Sequence, residues 1–120
     1  MPNEAEAITI RFADDFEANL YALAKRYRSI RNDVQPVIEQ LQAGNFLGDR
    51  IPGMGEDYII LKVRVKNSNI QKGKSARYRM IYQIESPISV LLLTIYSKSD
   101  RTDISLNEIR SIIADFDENE

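Results

Sequence analysis

Residues 58–66 read YIILKVRVK, and this stretch decides the fold. From residue 61 onward, apolar and basic residues alternate along it. The apolar positions are Leu61, Val63 and Val65. The basic positions are Lys62, Arg64 and Lys66. Successive side chains of a strand point to opposite faces, so strict alternation predicts a half-buried strand of an antiparallel sheet. The three basic side chains would then share one face, roughly 6–7 Å apart.

The same stretch opens a segment in which charge is segregated. Between Tyr58 and Ile84 there are seven basic residues and no acidic one. The rest of the chain holds 9 of the 16 Lys and Arg residues and all 18 Asp and Glu residues. Interspersed charge would serve solubility better, so the segregation points to a polyanion, such as nucleic acid, at one face. The seven basic residues are Lys62, Arg64, Lys66, Lys72, Lys74, Arg77 and Arg79.

The remaining pattern predicts an α+β fold in one domain of residues 1–120, with flexible tails at 1–6 and 117–120. The expected order is an N-terminal strand, a helical hairpin, an antiparallel three-stranded meander and a C-terminal helix. The strands are expected over 7–12, 58–66, 76–84 and 88–97, and the most apolar, the last one, should be covered on both faces. Helices are expected over about 13–30, from Asn32 or Asp33 to a stop at Gly44, and over 105–116.

Local signals support several of these boundaries. Asp14, Asp15 and Glu17 suit the start of the first helix, because the macrodipole favours acidic residues there, and this interpretation is preferred to a metal site. Ser105 and Glu108 predict a capping box at the last helix. Residues 45–55 hold three of the five glycines and a proline, so they predict a loop.

Two residue types are absent from the sequence, and their absence restricts the chemistry. Without cysteine there is no disulfide and no thiolate zinc site, which fits a cytoplasmic protein. Without histidine there is no Ser-His-Asp triad and no histidine-ligated metal. No apolar run reaches transmembrane length, and the acidic N-terminus does not read as a secretory signal. We therefore expect no metal and no cofactor, and we expect acid–base work from carboxylates, Lys, Arg or Tyr.

The basic segment and its aromatic residues have competing interpretations. Alternation alone often marks a solvated face, but pairing with the strand of Arg77 and Arg79 would bring five cations together as a phosphate cradle. The run 72–75, KGKS, is not a P-loop, because the position that needs glycine is Ser68. It is interpreted as a basic hairpin connection or a mobile loop. The strand tyrosines could stack on bases, although core packing is preferred: Tyr78, Tyr82 and Tyr96.

Four stretches together resemble one protein family. They are residues 58–66, residues 73–82 (GKSARYRMIY), residues 91–100 (LLLTIYSKSD) and residues 103–105 (DIS) ahead of a helix. In this order they resemble the RelE/ParE superfamily, the toxins of bacterial type II toxin–antitoxin modules, and are most similar to its RelE/HigB side. The resemblance covers nearly the whole chain.

The resemblance implies a ribosome-dependent mRNA endonuclease that inhibits translation and works without metal. A ribose 2′-OH would attack the adjacent phosphate, and positive charge would stabilise the transition state. The implied catalytic residues are Lys62, Arg64, Arg79 and Arg101. The expected RNA-binding residues are Lys66, Lys72, Lys74, Arg77 and Lys98. Lys62 and Arg79 are both expected on an exposed face. The implied partners are a cognate antitoxin in a hetero-oligomer, the ribosome and mRNA, with no membrane.

One departure from the family keeps other functions open. The family's tyrosine near the last helix corresponds to Ser105, and serine is a poor phenolic acid–base substitute. Lys62 is a candidate base, because neighbouring cations favour the neutral form of a lysine. One alternative is a ParE-like inhibitor of DNA gyrase, whose activity would not depend on the basic cluster. Another is a catalytically inactive interaction module with the same fold, which the serine favours.

Overall fold

The computed structural model describes residues 7–69 and 77–118. Within them the predicted α+β class is confirmed. The hairpin connection with Lys72 and Lys74 lies outside the described residues. The elements in chain order are β1 (Thr9–Phe12), α1 (Asp14–Arg26), α2 (Ile30–Gln42), β2 (Asp49–Arg50), β3 (Ile59–Lys66), β4 (Arg77–Ser86), β5 (Ser89–Ser97) and α3 (Leu106–Glu118).

The strands form one mixed sheet in the order β1-β5-β4-β3-β2. The strands β3, β4 and β5 are the expected antiparallel meander, and β1 adds to β5 in parallel. The prediction that residues 45–55 are only a loop is wrong, because Asp49 and Arg50 pair with β3 as an edge strand. A strand of two exposed residues has no hydrophobic period, so the sequence did not indicate it.

The two faces of the sheet are covered by different helices. On one face, α1 and α2 enclose a core that includes Phe16, Ile30, Leu41, Val63 and Met80. On the other face, α3 packs over β5 and the neighbouring part of β4, with Ile109, Ile112 and Ile113 as its buried residues. The strand β5 is therefore covered on both faces, as the sequence predicted: its residues from Val90 to Ser97 are all buried.

Both helices of the hairpin begin or end away from the predicted positions. The first helix ends at Arg26 rather than near Ile30, since Tyr27 already has extended backbone (φ −123°, ψ 91°). Ile30 instead begins α2, where it is fully buried and continues the apolar stripe of Val34 and Leu41. Pro36 consequently lies inside the helix rather than in its first turn, on an exposed side. Core burial of Ile30 decided this boundary.

Candidate active site

The register of the sheet brings the basic residues of two strands onto one face. Arg64 pairs directly with Arg79, and Lys66 pairs directly with Arg77. Lys62 stands opposite Ile81. Directly paired residues point to the same face of a sheet, so these five cations share one face. The alternate residues of both strands face the helical hairpin, in the core that contains Val63, Met80 and Tyr82.

A cavity of about 740 Å³ opens on this basic face. Three of the four predicted catalytic residues line it, namely Lys62, Arg64 and Arg79. One wall is the segment 48–52, which contains the edge strand, and the opposite wall is the segment 103–106 at the start of α3. The cavity thus collects cations from two central strands and places them between two walls from distant parts of the chain.

Arg79 is the most unusual residue of the cavity. The prediction that it is exposed is wrong, because only 8% of its surface is accessible. Arg64 lies directly opposite it on β3, and Tyr96 lies directly opposite it on β5. Within residues 7–69 and 77–118 its Nε is buried without a hydrogen-bond partner, and no carboxylate forms an ion pair with it. A buried cation without a partner destabilises a fold by its desolvation, which makes Arg79 a candidate functional residue.

Lys62 has a partner that the sequence did not indicate. Its Nζ lies 3.6 Å from Oδ1 of Asp103, and its side chain is 28% exposed. No acidic residue lies near Lys62 in the sequence, and its partner comes from a distant segment. Asp103 lies 41 positions later in the chain and reaches Lys62 because the segment after β5 returns across the basic face to begin α3. In the sequence Asp103 looks like an ordinary helix-start residue, so no local signal could have revealed the contact.

Arg101, the fourth predicted catalytic residue, is not among the residues that line the cavity. Its guanidinium makes two hydrogen bonds with the carboxylate of Glu108, at 2.7 and 3.0 Å. This contact raises the pKa of Arg101 and lowers that of Glu108. The guanidinium also lies 5.2 Å from the centre of the Tyr96 ring. Arg101 therefore braces the turn before α3 in this structure, instead of pointing its charge at the other three cations.

Ser105 lines the cavity, but its hydroxyl is engaged in capping α3. Its Oγ accepts the backbone N–H of Glu108 at 3.1 Å, which is the expected first half of the capping box. The second half does not form, because the Glu108 carboxylate bonds to Arg101 instead of returning to Ser105. Ser105 occupies the position that the resemblance assigns to a tyrosine, and it serves the helix start.

The three strand tyrosines are buried, as the preferred interpretation expected: Tyr78 is 0%, Tyr82 0% and Tyr96 6% exposed. Tyr96 lies beside the cavity without lining it. Among the described residues its hydroxyl has no hydrogen-bond partner. Burial, and then the Asp103 carboxylate, raise the pKa of Tyr96 above its ordinary value. Its phenol therefore keeps its proton and packs below the cavity.

Three predicted RNA-binding residues lie together at the far end of the meander. Lys66 and Arg77 are exposed and directly paired, and the backbone N–H of Lys98 donates to the carbonyl of Arg77 at 3.1 Å. Lys66 and Arg77 extend the basic face of β3 and β4 beyond the cavity, and Lys98 follows the end of β5 beside them. Lys72 and Lys74, the other two residues of this predicted set, lie on the part of the connection that the structure does not describe.

Comparisons with known proteins give no relative of this chain: no protein-family model matches it, and neither does any curated protein. Searching the described residues for three or more clustered metal-ligating side chains finds no candidate metal site. Nor does any helix in these residues have the length and apolar character needed to cross a membrane. The likeness to the RelE/ParE superfamily thus rests on the sequence stretches quoted above.

Proposed function

We propose that the chain is a toxin of a bacterial type II toxin–antitoxin module, a RelE-type endonuclease that cuts mRNA on the ribosome in the cytoplasm and so inhibits translation. The proposal includes a RelE-like fold and a cognate antitoxin bound in a hetero-oligomer. The observation that carries it is the buried, unpartnered Arg79 at a cavity shared with Lys62 and Arg64. Such a site is incomplete without an anion, and a phosphodiester is an anion of suitable size.

The chemistry of the cavity suits transesterification of RNA. Attack of a 2′-OH on the adjacent phosphate gathers negative charge on the phosphoryl oxygens in the transition state. Fixed cations stabilise that charge most where they need not reorganise, and Arg79 is held by the strands on either side of it. The ribosome would supply the alignment of the RNA. No metal has a step in this scheme.

The experiment is a cleavage assay with purified protein, ribosomes and a defined mRNA, read by primer extension. The wild-type protein should cut ribosome-bound mRNA and leave free mRNA largely intact. Arg79→Ala and Lys62→Ala should each reduce the rate by roughly 10²-fold or more, as loss of a preorganised charge does elsewhere. Arg31→Ala removes an exposed cation of α2, far from the sheet's basic face, and should retain the rate.

Other outcomes would favour the alternatives. If translation continues while gyrase-dependent DNA breaks appear on expression, the chain acts as a ParE-like gyrase inhibitor. If the folded protein produces neither effect, it is an inactive interaction module. If the wild type, Arg79→Ala and Lys62→Ala cleave at equal rates, cleavage does not depend on this cavity and the assignment of the site is refuted.

A further inference from the structure

We propose that Asp103 and Lys62 form a proton-exchanging pair, in which Asp103 accepts the proton of the attacking 2′-OH and Lys62 protonates the leaving 5′-oxygen. This inference rests on the proposed function and assigns its missing acid and base. The resemblance includes Asp103 in the stretch 103–105 but gives it no role, and it assigns the catalytic position near the last helix to a tyrosine, where this chain has Ser105.

The position of Asp103 distinguishes it from the other carboxylate of the cavity. Asp49 and Asp103 both line the cavity, but only Asp103, among the described residues, forms an ion pair with one of the four basic residues that line it. Its side chain is 68% exposed, whereas that of Lys62 is 28% exposed, so the carboxylate lies on the open side of the pair. A substrate entering the cavity can therefore reach the carboxylate before it reaches the ammonium.

The two oxygens of Asp103 have different surroundings. Oδ1 accepts the backbone N–H of Ile104 at 2.8 Å and also faces Lys62. Oδ2 makes no hydrogen bond with any residue that the structure describes. The backbone contact fixes the carboxylate in place, and Oδ2 has a lone pair available for an incoming hydroxyl. This combination of a fixed group and an open acceptor suits a general base.

The other groups at or beside the cavity are less suitable. The guanidinium groups of Arg64 and Arg79 stay protonated in proteins, so they can stabilise charge but cannot take a proton. Ser105 uses its hydroxyl to cap α3. The buried phenol of Tyr96 has a raised pKa and does not line the cavity. A carboxylate oxygen accepts hydrogen bonds and an ammonium donates them, as the two roles require.

The proton balance of the proposed cycle closes without a metal or a further protein group. The 2′-oxygen forms a bond to phosphorus as its proton passes to Oδ2 of Asp103. The bond from phosphorus to the 5′-oxygen breaks, and that oxygen takes a proton from Nζ of Lys62. The products are a 2′,3′-cyclic phosphate and a 5′-hydroxyl end. The carboxylic acid and the neutral amine then exchange one proton through solvent, because the Asp103 side chain is 68% exposed and the 3.6 Å contact of its Oδ1 with Nζ is longer than a hydrogen bond; this exchange restores the ion pair.

The test separates RNA binding from the rate of cleavage in a single turnover. Asp103→Asn keeps an oxygen that can accept the Ile104 N–H and removes the charge and the basic group. Because a negative charge disappears from a cavity lined by four basic residues, RNA should bind at least as tightly as to the wild type. Cleavage of bound RNA should nevertheless fall by roughly 10²- to 10⁴-fold, the usual contribution of a general base. Asp103→Glu should recover part of that loss.

Two further variants complete the test. Lys62→Arg keeps the positive charge but holds its proton too firmly to donate it, so cleavage should fall about as far as in Asp103→Asn. Asp115→Asn removes an exposed carboxylate of α3 and should leave both binding and cleavage unchanged. The unfolding midpoint of each variant shows whether the fold is intact, and Asp103→Ser, which also removes the carboxylate and offers an oxygen to the Ile104 N–H, replaces Asp103→Asn if the latter unfolds.

The inference is overturned if Asp103→Asn cleaves bound RNA as fast as the wild type or faster, because Asp103 would then only neutralise charge. Full activity in Lys62→Arg would overturn the acid role of Lys62. Either result requires a wild-type protein that cuts RNA, so both differ from failure of the proposed function, in which the wild type does not cut at all.

Discussion

Replacing Arg79 with methionine should make the protein more stable. Only 8% of the residue is accessible, its Nε is buried without a hydrogen-bond partner, and no described residue forms an ion pair or hydrogen bond with the guanidinium. Arg64, a like charge, stands directly opposite on the adjacent strand. A methionine side chain is also long and unbranched, can still pack beside Tyr96 on the neighbouring strand β5, and carries no charge. The variant therefore removes two unfavourable contributions and retains most of the packing.

The magnitude follows from those two contributions. An unsatisfied buried polar group destabilises by about 1–3 kcal/mol, and the lower part of this range applies because Arg79 also lines an open cavity. A like charge directly opposite in a sheet adds about 0.2–1 kcal/mol. We therefore expect the free energy of unfolding of Arg79→Met to exceed that of the wild type by about 1–3 kcal/mol. For a domain of this size, that corresponds to a rise in Tm of roughly 3 °C or more.

Urea denaturation measures this difference, and an unchanged m-value would show that the unfolded state is the same. Arg64→Met is the matched control, because Arg64 is an exposed cation in the same pair, so its replacement removes only the like-charge contact and should raise the free energy of unfolding by about 0.2–1 kcal/mol. Inorganic polyphosphate should stabilise the wild type more than Arg79→Met, since a ligand that binds only the folded state raises stability by mass action. If Arg79→Met is less stable than the wild type at an unchanged m-value, the arginine is a structural residue and the argument is wrong.

Three further predictions concern the tyrosines and one wall of the cavity. Tyr82→Phe should lower the free energy of unfolding by about 1 kcal/mol, because the Tyr82 hydroxyl donates to the carbonyl of Leu47. Tyr78→Phe should be neutral or stabilising, because the Tyr78 hydroxyl lacks a hydrogen-bond partner among the described residues. Burial raises the pKa of both tyrosines, so the unfolded chain loses these protons first, and stability should decline as pH rises above about 10, less steeply in the double phenylalanine variant. Gly48→Ala should destabilise by about 1–3 kcal/mol in thermal unfolding, because the residue has φ +103° and an added Cβ would meet the carbonyl oxygen of Lys62.

The part of the site that could be predicted from the sequence is the part set by the period of a strand. Alternation in residues 58–66 fixes which side chains share a face, and an equally regular strand around Arg77 and Arg79 makes the convergence of cations predictable. The helical hairpin was also predictable, because its apolar residues recur with the period of a helix. These are short-range regularities, and each concerns a single element or a pair of elements.

The parts that could not be predicted depend on where separate segments meet. The burial of Arg79 depends on its neighbours Arg64 and Tyr96 and on the cover that α3 gives to the adjoining strand. The contact between Lys62 and Asp103 depends on the path that the chain takes after β5. Arg101 shows the same limit for a residue that was predicted at the site. Its basic side chain suggested a place in the cavity, but it is hydrogen-bonded to Glu108, seven residues later.

The incomplete cover of the second face explains why one arginine is buried and the arginine opposite it is exposed. The helix α3 packs on β5 and on Ile81 of β4, and its buried residues do not reach β3 beyond Ile60. The part of the sheet face that α3 covers therefore ends between Arg79, which is 8% exposed, and Arg64, which is exposed. Arg79 lies at the edge of this cover, so its neighbours shield it from water while it still faces the cavity. Water therefore weakens its attraction for an anion in the cavity less than it would for an exposed arginine. Moving the helix toward β3 would close the cavity, and moving it away would leave Arg79 solvated and its charge screened. The packing of Ile109, Ile112 and Ile113 on the sheet therefore sets the electrostatics of the site, although none of the three lines the cavity.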